Sequence, residues 1–314
     1  MLRCCRYLCE YAAVRILVAL MQCLPERVAE RMCTVGSWFL SNLLPIRRAL
    51  VAENIARVFP DLPRAEVRLM RRRMWKHLLM MICEIAWAPR RLHRCNWKQF
   101  VVIPDTQQML QNLLSPRPLV IVSGHFGNFE IGGYVTGLMG VSTVTIARKL
   151  DNPFLDGYLR KFRGGKGQWM VDKKGCAAFV DGHLENGGVL TLLADQHAGA
   201  KGCWVDFLGH PASYHKALAL FALTADAPLM VSSTRRIGAP MRFQQDLFGV
   251  VDPRAQEPVT AGVRSLTTWY SDRMGEMVLL APDQYWWLHR RWRPKPEKRQ
   301  KRTVHDSAVK RDAA

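Results

Sequence analysis

A histidine and a glutamate stand five positions apart in the segment GHFGNFE, residues 124–130. His125 is a candidate general base, and Glu130 is a carboxylate that could orient the imidazole ring and stabilise its protonated form. On an ideal helix a five-residue step rotates by about 140°, so the two side chains would not share a face. A turn at Gly127-Asn128 can fold them together, so we expect a base–carboxylate pair here.

The elements around this segment place it at a strand-to-helix turn. The preceding run PLVIV, residues 118–122, is short, apolar and rich in β-branched residues, which predicts a buried strand. The following segment, residues 130–139, predicts a helix despite its glycines. His125 should therefore lie just beyond the carboxyl end of a strand.

Strands and helices alternate from residue 118 onwards, after a helical first third. The predicted strands are 118–122, 141–146, 189–193 and 228–233, and the predicted helices are 1–45, 47–59, 64–87, 130–139, 153–164, 174–186, 213–226 and 259–277. This alternation indicates an α/β fold with a mostly parallel central sheet flanked by helices. Ligands of such sheets bind beyond the carboxyl ends of the strands.

The first 45 residues carry apolar stretches interrupted by arginines. Residues 11–24 are mostly apolar, but Arg15 interrupts them, so a clean transmembrane helix is not indicated. We expect amphipathic helices lying in a membrane interface, with an ordinary pair of core helices as the alternative. The predicted organisation is a membrane-associating segment (1–45), a catalytic domain (46–293) and a basic, disordered tail (294–314).

The chain is strongly basic, with 45 Lys+Arg against 26 Asp+Glu and a net charge of +19. Such a charge indicates a polyanionic partner: nucleic acid, an anionic membrane surface or a phosphorylated substrate. The nine cysteines form no CxxC pair and no metal-ligand spacing, so we expect reduced thiols and no metal site.

Polar clusters also follow two further predicted strands. Arg148 follows one of them, and Arg160 and Arg163 lie in the predicted helix 153–164 that comes next. Guanidinium groups bind phosphate through two parallel hydrogen bonds. Asp195-Gln196 ends the next strand. These residues are candidates for substrate binding.

Together these motifs resemble the bacterial lipid A biosynthesis acyltransferases, the lauroyl/myristoyl transferase group of the lysophospholipid acyltransferases. The resemblance rests on four segments in the family's order: ENI leading to FP at 53–60, the box at 124–130, ADQ followed by FLG at 194–209, and PDQYWWLHRRW at 282–292. It covers roughly residues 45–293.

The resemblance implies transfer of an acyl chain from a thioester, on acyl carrier protein or coenzyme A, to a hydroxyl of a phosphorylated glycolipid. His125 would be the base and Glu130 its orienting carboxylate, while backbone N–H groups at Gly127 and Asn128, or an arginine, would hold the oxyanion. The expected location is the cytoplasmic face of the bacterial inner membrane. No cofactor is expected beyond the acyl thioester itself.

The resemblance also implies roles for the other polar clusters. Arg163 would bind the phosphate or position the substrate, with Arg148 and Arg160 as rivals. Asp195 would buttress the site, beside Gln196.

Alternative functions remain at this level. The acceptor could be another glycolipid or a lysophospholipid. A different class, a non-catalytic basic protein that binds membranes or nucleic acid, is favoured only by charge and by the Trp/Arg-rich end at 285–293; binding to nucleic acid is not expected.

Overall fold

A computed structural model describes residues 2–44 and 46–294. The predicted tail beyond Pro294 lies outside the described residues. The helices are α1 (Leu2–Cys23), α2 (Glu26–Asn42), α3 (Arg48–Val58), α4 (Arg64–Arg91), α5 (Thr106–Leu113), α6 (Phe129–Leu138), α7 (Pro153–Gly164), α8 (Ala177–Glu185), α9 (Lys216–Thr224) and α10 (Val263–Leu280). The strands are β1 (Val101–Val102), β2 (Leu119–Ser123), β3 (Thr143–Ala147), β4 (Gln168–Asp172), β5 (Val189–Leu193), β6 (Cys203–Phe207), β7 (His210–Tyr214), β8 (Leu229–Arg236) and β9 (Phe243–Val251).

Seven of these strands form one sheet in the order β1-β9-β8-β2-β5-β3-β4. Its described neighbours pair in parallel, except β8 and β9, which are antiparallel. This confirms the predicted α/β fold with a mostly parallel sheet flanked by helices. All four predicted strands are present: β5 has the predicted bounds, and the ends of the other three differ by one to three residues.

The central strand β2 is buried along its whole length, which explains its uninterrupted apolar sequence. Val120 and Val122 pack into the main core cluster on one face of the sheet. Leu119 and Ile121 pack on the other face, with Met109 of α5. Because β2 lies between β5 and β8, the chain that leaves its carboxyl end enters the middle of the sheet's ligand-binding edge.

The hairpin formed by β6 and β7 corrects one prediction. A loop was expected there, with a helix from about 213; instead β7 continues to Tyr214 and α9 begins at Lys216. The two-residue turn Leu208-Gly209 has positive φ at both positions, +53° and +78°, as the tightest hairpin turns require.

Helices α1 and α2 pack on α4. The indole N–H of Trp87 donates to the Met21 carbonyl at 2.7 Å, and Gln22 donates to the Ala86 carbonyl at 2.8 Å. Within residues 2–44 and 46–294, no helix combines the length and apolar character needed to cross a bilayer. The domain boundary near residue 45 stays a prediction.

Candidate functional site

His125 lies between β2 and α6, at the carboxyl edge of the sheet. The following turn brings the chain against β8. Gly127 has φ of +56°, and a Cβ atom there would lie 2.1 Å from the Thr234 carbonyl oxygen, so only glycine fits. The turn and its flanking strand therefore fix the backbone that carries His125.

The partner of the His125 ring is Asp195, at the end of the adjacent strand β5. Nδ1 of His125 lies 2.7 Å from Oδ1 of Asp195, and the backbone N–H of His125 donates to Oδ2 at 2.8 Å. Because a carboxylate only accepts hydrogen bonds, Nδ1 carries the proton and Nε2 is left with a free lone pair. This is the arrangement of a histidine base oriented by a carboxylate.

The same pair shifts the acidity of both groups. Burial alone lowers the pKa of His125, but the charge of Asp195 and the hydrogen bond to it outweigh burial, so the pKa is raised above its ordinary value. Asp195 is fully buried; burial raises its pKa, but the charge of His125 and the hydrogen bond bring it down to about 2. Asp195 therefore stays ionised at neutral pH and favours the imidazolium.

Glu130 does not occupy the orienting position that its spacing predicted. Its carboxylate pairs with Arg163 of α7 through both oxygens, with Nε of Arg163 2.9 Å from Oε2. Both side chains are mostly buried. Glu130 acts on His125 only through its charge, which adds to the rise in the pKa of His125, and Arg163 opposes it.

The three arginines expected to bind phosphate all have carboxylate partners. Arg163 holds Glu130. Arg160 pairs with Asp156 and Asp172, and the exposed Arg148 pairs with Asp151 at 3.1 Å. These ion pairs compete with phosphate binding. We therefore expect a substrate phosphate to bind to other cationic groups.

The two backbone N–H groups expected to hold an oxyanion already donate hydrogen bonds to backbone carbonyls. Gly127 N donates to the Gln284 carbonyl at 3.0 Å, and Asn128 N donates to the Thr234 carbonyl at 2.7 Å. The side-chain amide of Gln196, by contrast, lies at the ring, with Nε2 3.5 Å from Nε2 of His125. The side-chain amide of Gln196 therefore lies beside Nε2 of His125, the ring nitrogen that can act as a base.

Residues near the carboxyl terminus complete the wall around His125. The N–H of Trp286 donates to the His125 carbonyl at 3.0 Å, and the rings of Trp286 and His289 lie 5.2 and 4.7 Å from the imidazole ring, centroid to centroid. Neither Trp286 nor His289 was predicted to lie at the site. Their place in the 282–292 segment was the only signal, since 161 residues or more separate them from His125 in the chain.

A buried polar network that the sequence did not predict anchors the turn. Glu84 of α4 accepts from Arg236 at 2.7 Å and from Asn128 at 2.9 Å. His77 lies between Arg236 and the Gly127 carbonyl, 3.1 Å from each, and burial, reinforced by Arg236, lowers its pKa to about 3. A neutral His77 can therefore accept from Arg236 and donate to Gly127, which fixes the turn.

A cavity of about 460 Å³ adjoins His125 and extends between α6 and the sheet. Its walls mix apolar and hydroxyl-bearing side chains from several strands. They include Ile121, Thr145, Thr191, Leu193 and Met230, with Phe129 and Trp286 beside the histidine. The site thus combines an oriented base with a cavity next to it.

Comparison with known proteins gives consistent matches. The model of a family described as bacterial lipid A biosynthesis acyltransferase matches residues 1–294. The lipid A biosynthesis lauroyltransferase of Escherichia coli (strain K12) is 23% identical over 299 residues, covering 93% of this chain and 94% of that protein. The lipid A biosynthesis palmitoleoyltransferase of the same strain is 22% identical over 260 residues, covering 80% of each chain. Among solved structures, the 1-acyl-sn-glycerophosphate acyltransferase PlsC of Thermotoga maritima aligns with a TM-score of 0.38 and 14% identity, over 82% of this chain and 98% of that one.

Proposed function

Because the chain belongs to the bacterial lipid A biosynthesis acyltransferase family, we propose that it transfers a fatty acyl chain from a thioester to a hydroxyl of a lipid A precursor. The observation that carries this proposal is the His125–Asp195 pair, with Nδ1 bonded to the carboxylate and a cavity beside the ring. The donor is an acyl group on acyl carrier protein or coenzyme A.

In the proposed reaction Nε2 of His125 takes the proton of the acceptor hydroxyl. The hydroxyl oxygen attacks the thioester carbonyl carbon and forms a C–O bond. Collapse of the tetrahedral intermediate breaks the C–S bond, and the imidazolium returns the proton to the departing sulfur. Asp195 accepts from Nδ1–H throughout and stabilises the positive charge on the ring.

The oxyanion of the intermediate needs a donor near Nε2 of His125. Gln196 is our candidate, because its side-chain amide already lies within 3.5 Å of that nitrogen. A positioned donor of this kind contributes roughly 3–4 kcal/mol to catalysis of acyl transfer.

The cavity between α6 and the sheet is the proposed site for the donor's acyl chain. It is lined by strand side chains such as Ile121 and Met230 and reaches His125. The Glu130–Arg163 pair lines it too and links α6 to α7. We therefore assign this pair to the wall of the acyl site rather than to phosphate binding.

The direct test is a transfer assay with purified protein. Incubation with an acyl thioester and a bis-phosphorylated lipid A precursor should give a product heavier by one acyl group, detected by mass spectrometry. Acylation of a lysophospholipid at a higher rate would favour the alternative acceptor. Absence of transfer from either donor carrier to any lipid acceptor would contradict the proposed function.

The exposed face of α1 and α2 is the proposed membrane-binding surface. Val28, Met32, Val35 and Phe39 follow at three- and four-residue steps on α2 and are 42–58% exposed, while the opposite face of α2 packs on α4. Such a stripe, on a chain of net charge +19, suits an anionic bilayer surface. We place the protein on the cytoplasmic face of the inner membrane, where the proposed substrates meet.

Vesicle flotation tests this surface. The double substitution V35D/F39D should lower binding to vesicles with anionic lipid by about tenfold or more, because it puts carboxylates into the apolar stripe. V102D/L114D makes the same chemical change at exposed positions elsewhere and should leave binding within twofold. Equal losses in both variants would mean that charge alone governs binding.

A further inference from the structure

A second, open concavity of about 1360 Å³ is lined in part by Gln196 and His289, the two side chains beside the His125 ring. Its walls are the start of α3, the loop after β5 and the chain from His289 to Pro294. We name it the α3 groove. Gln196 is the lining residue that it shares with the acyl cavity, and His289, which contacts the His125 ring, also lines it.

The α3 groove is strongly cationic. Arg47, Arg48, Arg290 and Arg293 line it and are exposed. Among the described residues, Glu53 is the one acidic side chain that lines it, and it pairs with an arginine elsewhere on α3. Among the described residues no carboxylate lies within 4.0 Å of the four lining arginines, in contrast to the paired arginines at positions 148, 160 and 163.

The helix end in this groove adds to the positive potential. The first-turn residues Arg48, Ala49 and Leu50 line the groove, and the turn contains no acidic residue and no side-chain cap. The first helical hydrogen bond in α3 is from Val51 to Arg47, so the earlier N–H groups point free of the helix. Arginines at the positive end of a helix dipole repel it, and a bound anion would relieve this repulsion.

The two walls of the groove are also tied together. Asn54 donates to the carbonyls of Trp287 and His289 at 2.7 and 2.8 Å, and Arg47 donates to the Leu288 carbonyl at 2.7 Å. These bonds hold α3 beside the segment that contacts His125. The backbone that carries the groove arginines is therefore held in place relative to the base.

We propose that the α3 groove binds the phosphate of the acceptor's headgroup, which rests on the acyl-transfer function proposed above. Unpaired guanidinium groups and free helical N–H groups are the donors that phosphate prefers. The donor thioester also carries phosphate, but its acyl chain is assigned to the separate cavity that His125 itself lines. The acceptor presents its hydroxyl to Nε2, and the α3 groove is the site that remains for its phosphate.

The test removes two groove charges that make no described ion pair. In R48Q/R293Q we expect the KM for a bis-phosphorylated acceptor to rise about ten- to hundredfold, because each charge-assisted hydrogen bond to phosphate is lost. The KM for the dephosphorylated acceptor and for the donor should change less than twofold. The control R94Q/R264Q removes the same charge from exposed arginines outside the groove and should match wild type.

Each outcome decides the proposal. A rise confined to the phosphorylated acceptor supports it. A rise in donor KM instead, or equal rises for both acceptors, overturns it, as does an unchanged KM. A wild-type enzyme that transfers no acyl group would contradict the proposed function itself, whereas active wild type with an unaffected variant contradicts only the groove. Thermal melting of both variants within about 2 °C of wild type would establish that folding is intact.

Discussion

Replacement of His125 by alanine is expected to lower kcat/KM for acyl transfer by about 10²–10⁴-fold, because an alcohol is a weak nucleophile without a positioned base. Nε2 has a free lone pair only because Nδ1–H is held by Asp195. The measurement is initial-rate mass spectrometry of the acylated acceptor. Substrate KM values should change little, since the imidazole acts on the reacting atoms.

Two controls keep this result interpretable. H125A leaves a fully buried Asp195 with one fewer hydrogen bond, so H125N, which keeps a polar side chain, should be measured with it. H93A removes an exposed histidine that bonds to the Arg90 carbonyl and should keep full activity. A folded H125N enzyme with near wild-type kcat would exclude His125 as the base.

Replacement of Asp195 by asparagine should lower kcat/KM by about 10³–10⁴-fold, even though the shape of the side chain is preserved. An amide can donate to Nδ1 and leave the proton on Nε2, which is the wrong tautomer for a base, and it no longer stabilises the imidazolium. The same assay measures the effect. D181N, the same change at an exposed position, should be within twofold of wild type, and a comparable rate for D195N would mean that Asp195 does not orient the ring.

Much of the fold follows from local sequence patterns. Strand β2 was predicted because burial on both faces requires an unbroken apolar run. The edge strand β4 was missed because its apolar run between Gln168 and Asp172 is only three residues long, and β9 because three consecutive polar residues, 244–246, follow Phe243. The β6–β7 hairpin turns at Leu208-Gly209, where the usual asparagine or aspartate signal is absent.

The site was only partly predictable for a different physical reason. His125 could be identified from its place after a buried strand, but its partner lies 70 residues away. Asp195 reaches the ring because β5 pairs in parallel with β2, and strand order is set by packing of the whole chain rather than by local spacing. Glu130 was the nearest carboxylate in sequence, but it forms an ion pair with Arg163 of α7 instead of bonding to the His125 ring. The same long-range packing brings Trp286 and His289 to the ring.

The central claim is that His125 is a base whose acidity is set by Asp195. The most direct measurement is kcat/KM against pH for wild type and D195N. The neutral imidazole is the active form and its pKa is raised in the wild-type enzyme. We therefore predict a rate that climbs with pH and reaches half its plateau above pH ~6.5. In D195N burial is no longer opposed by the carboxylate, so the residual activity should reach half-plateau at lower pH. A wild-type limb centred below pH ~6, or the same midpoint in both enzymes, would contradict this account.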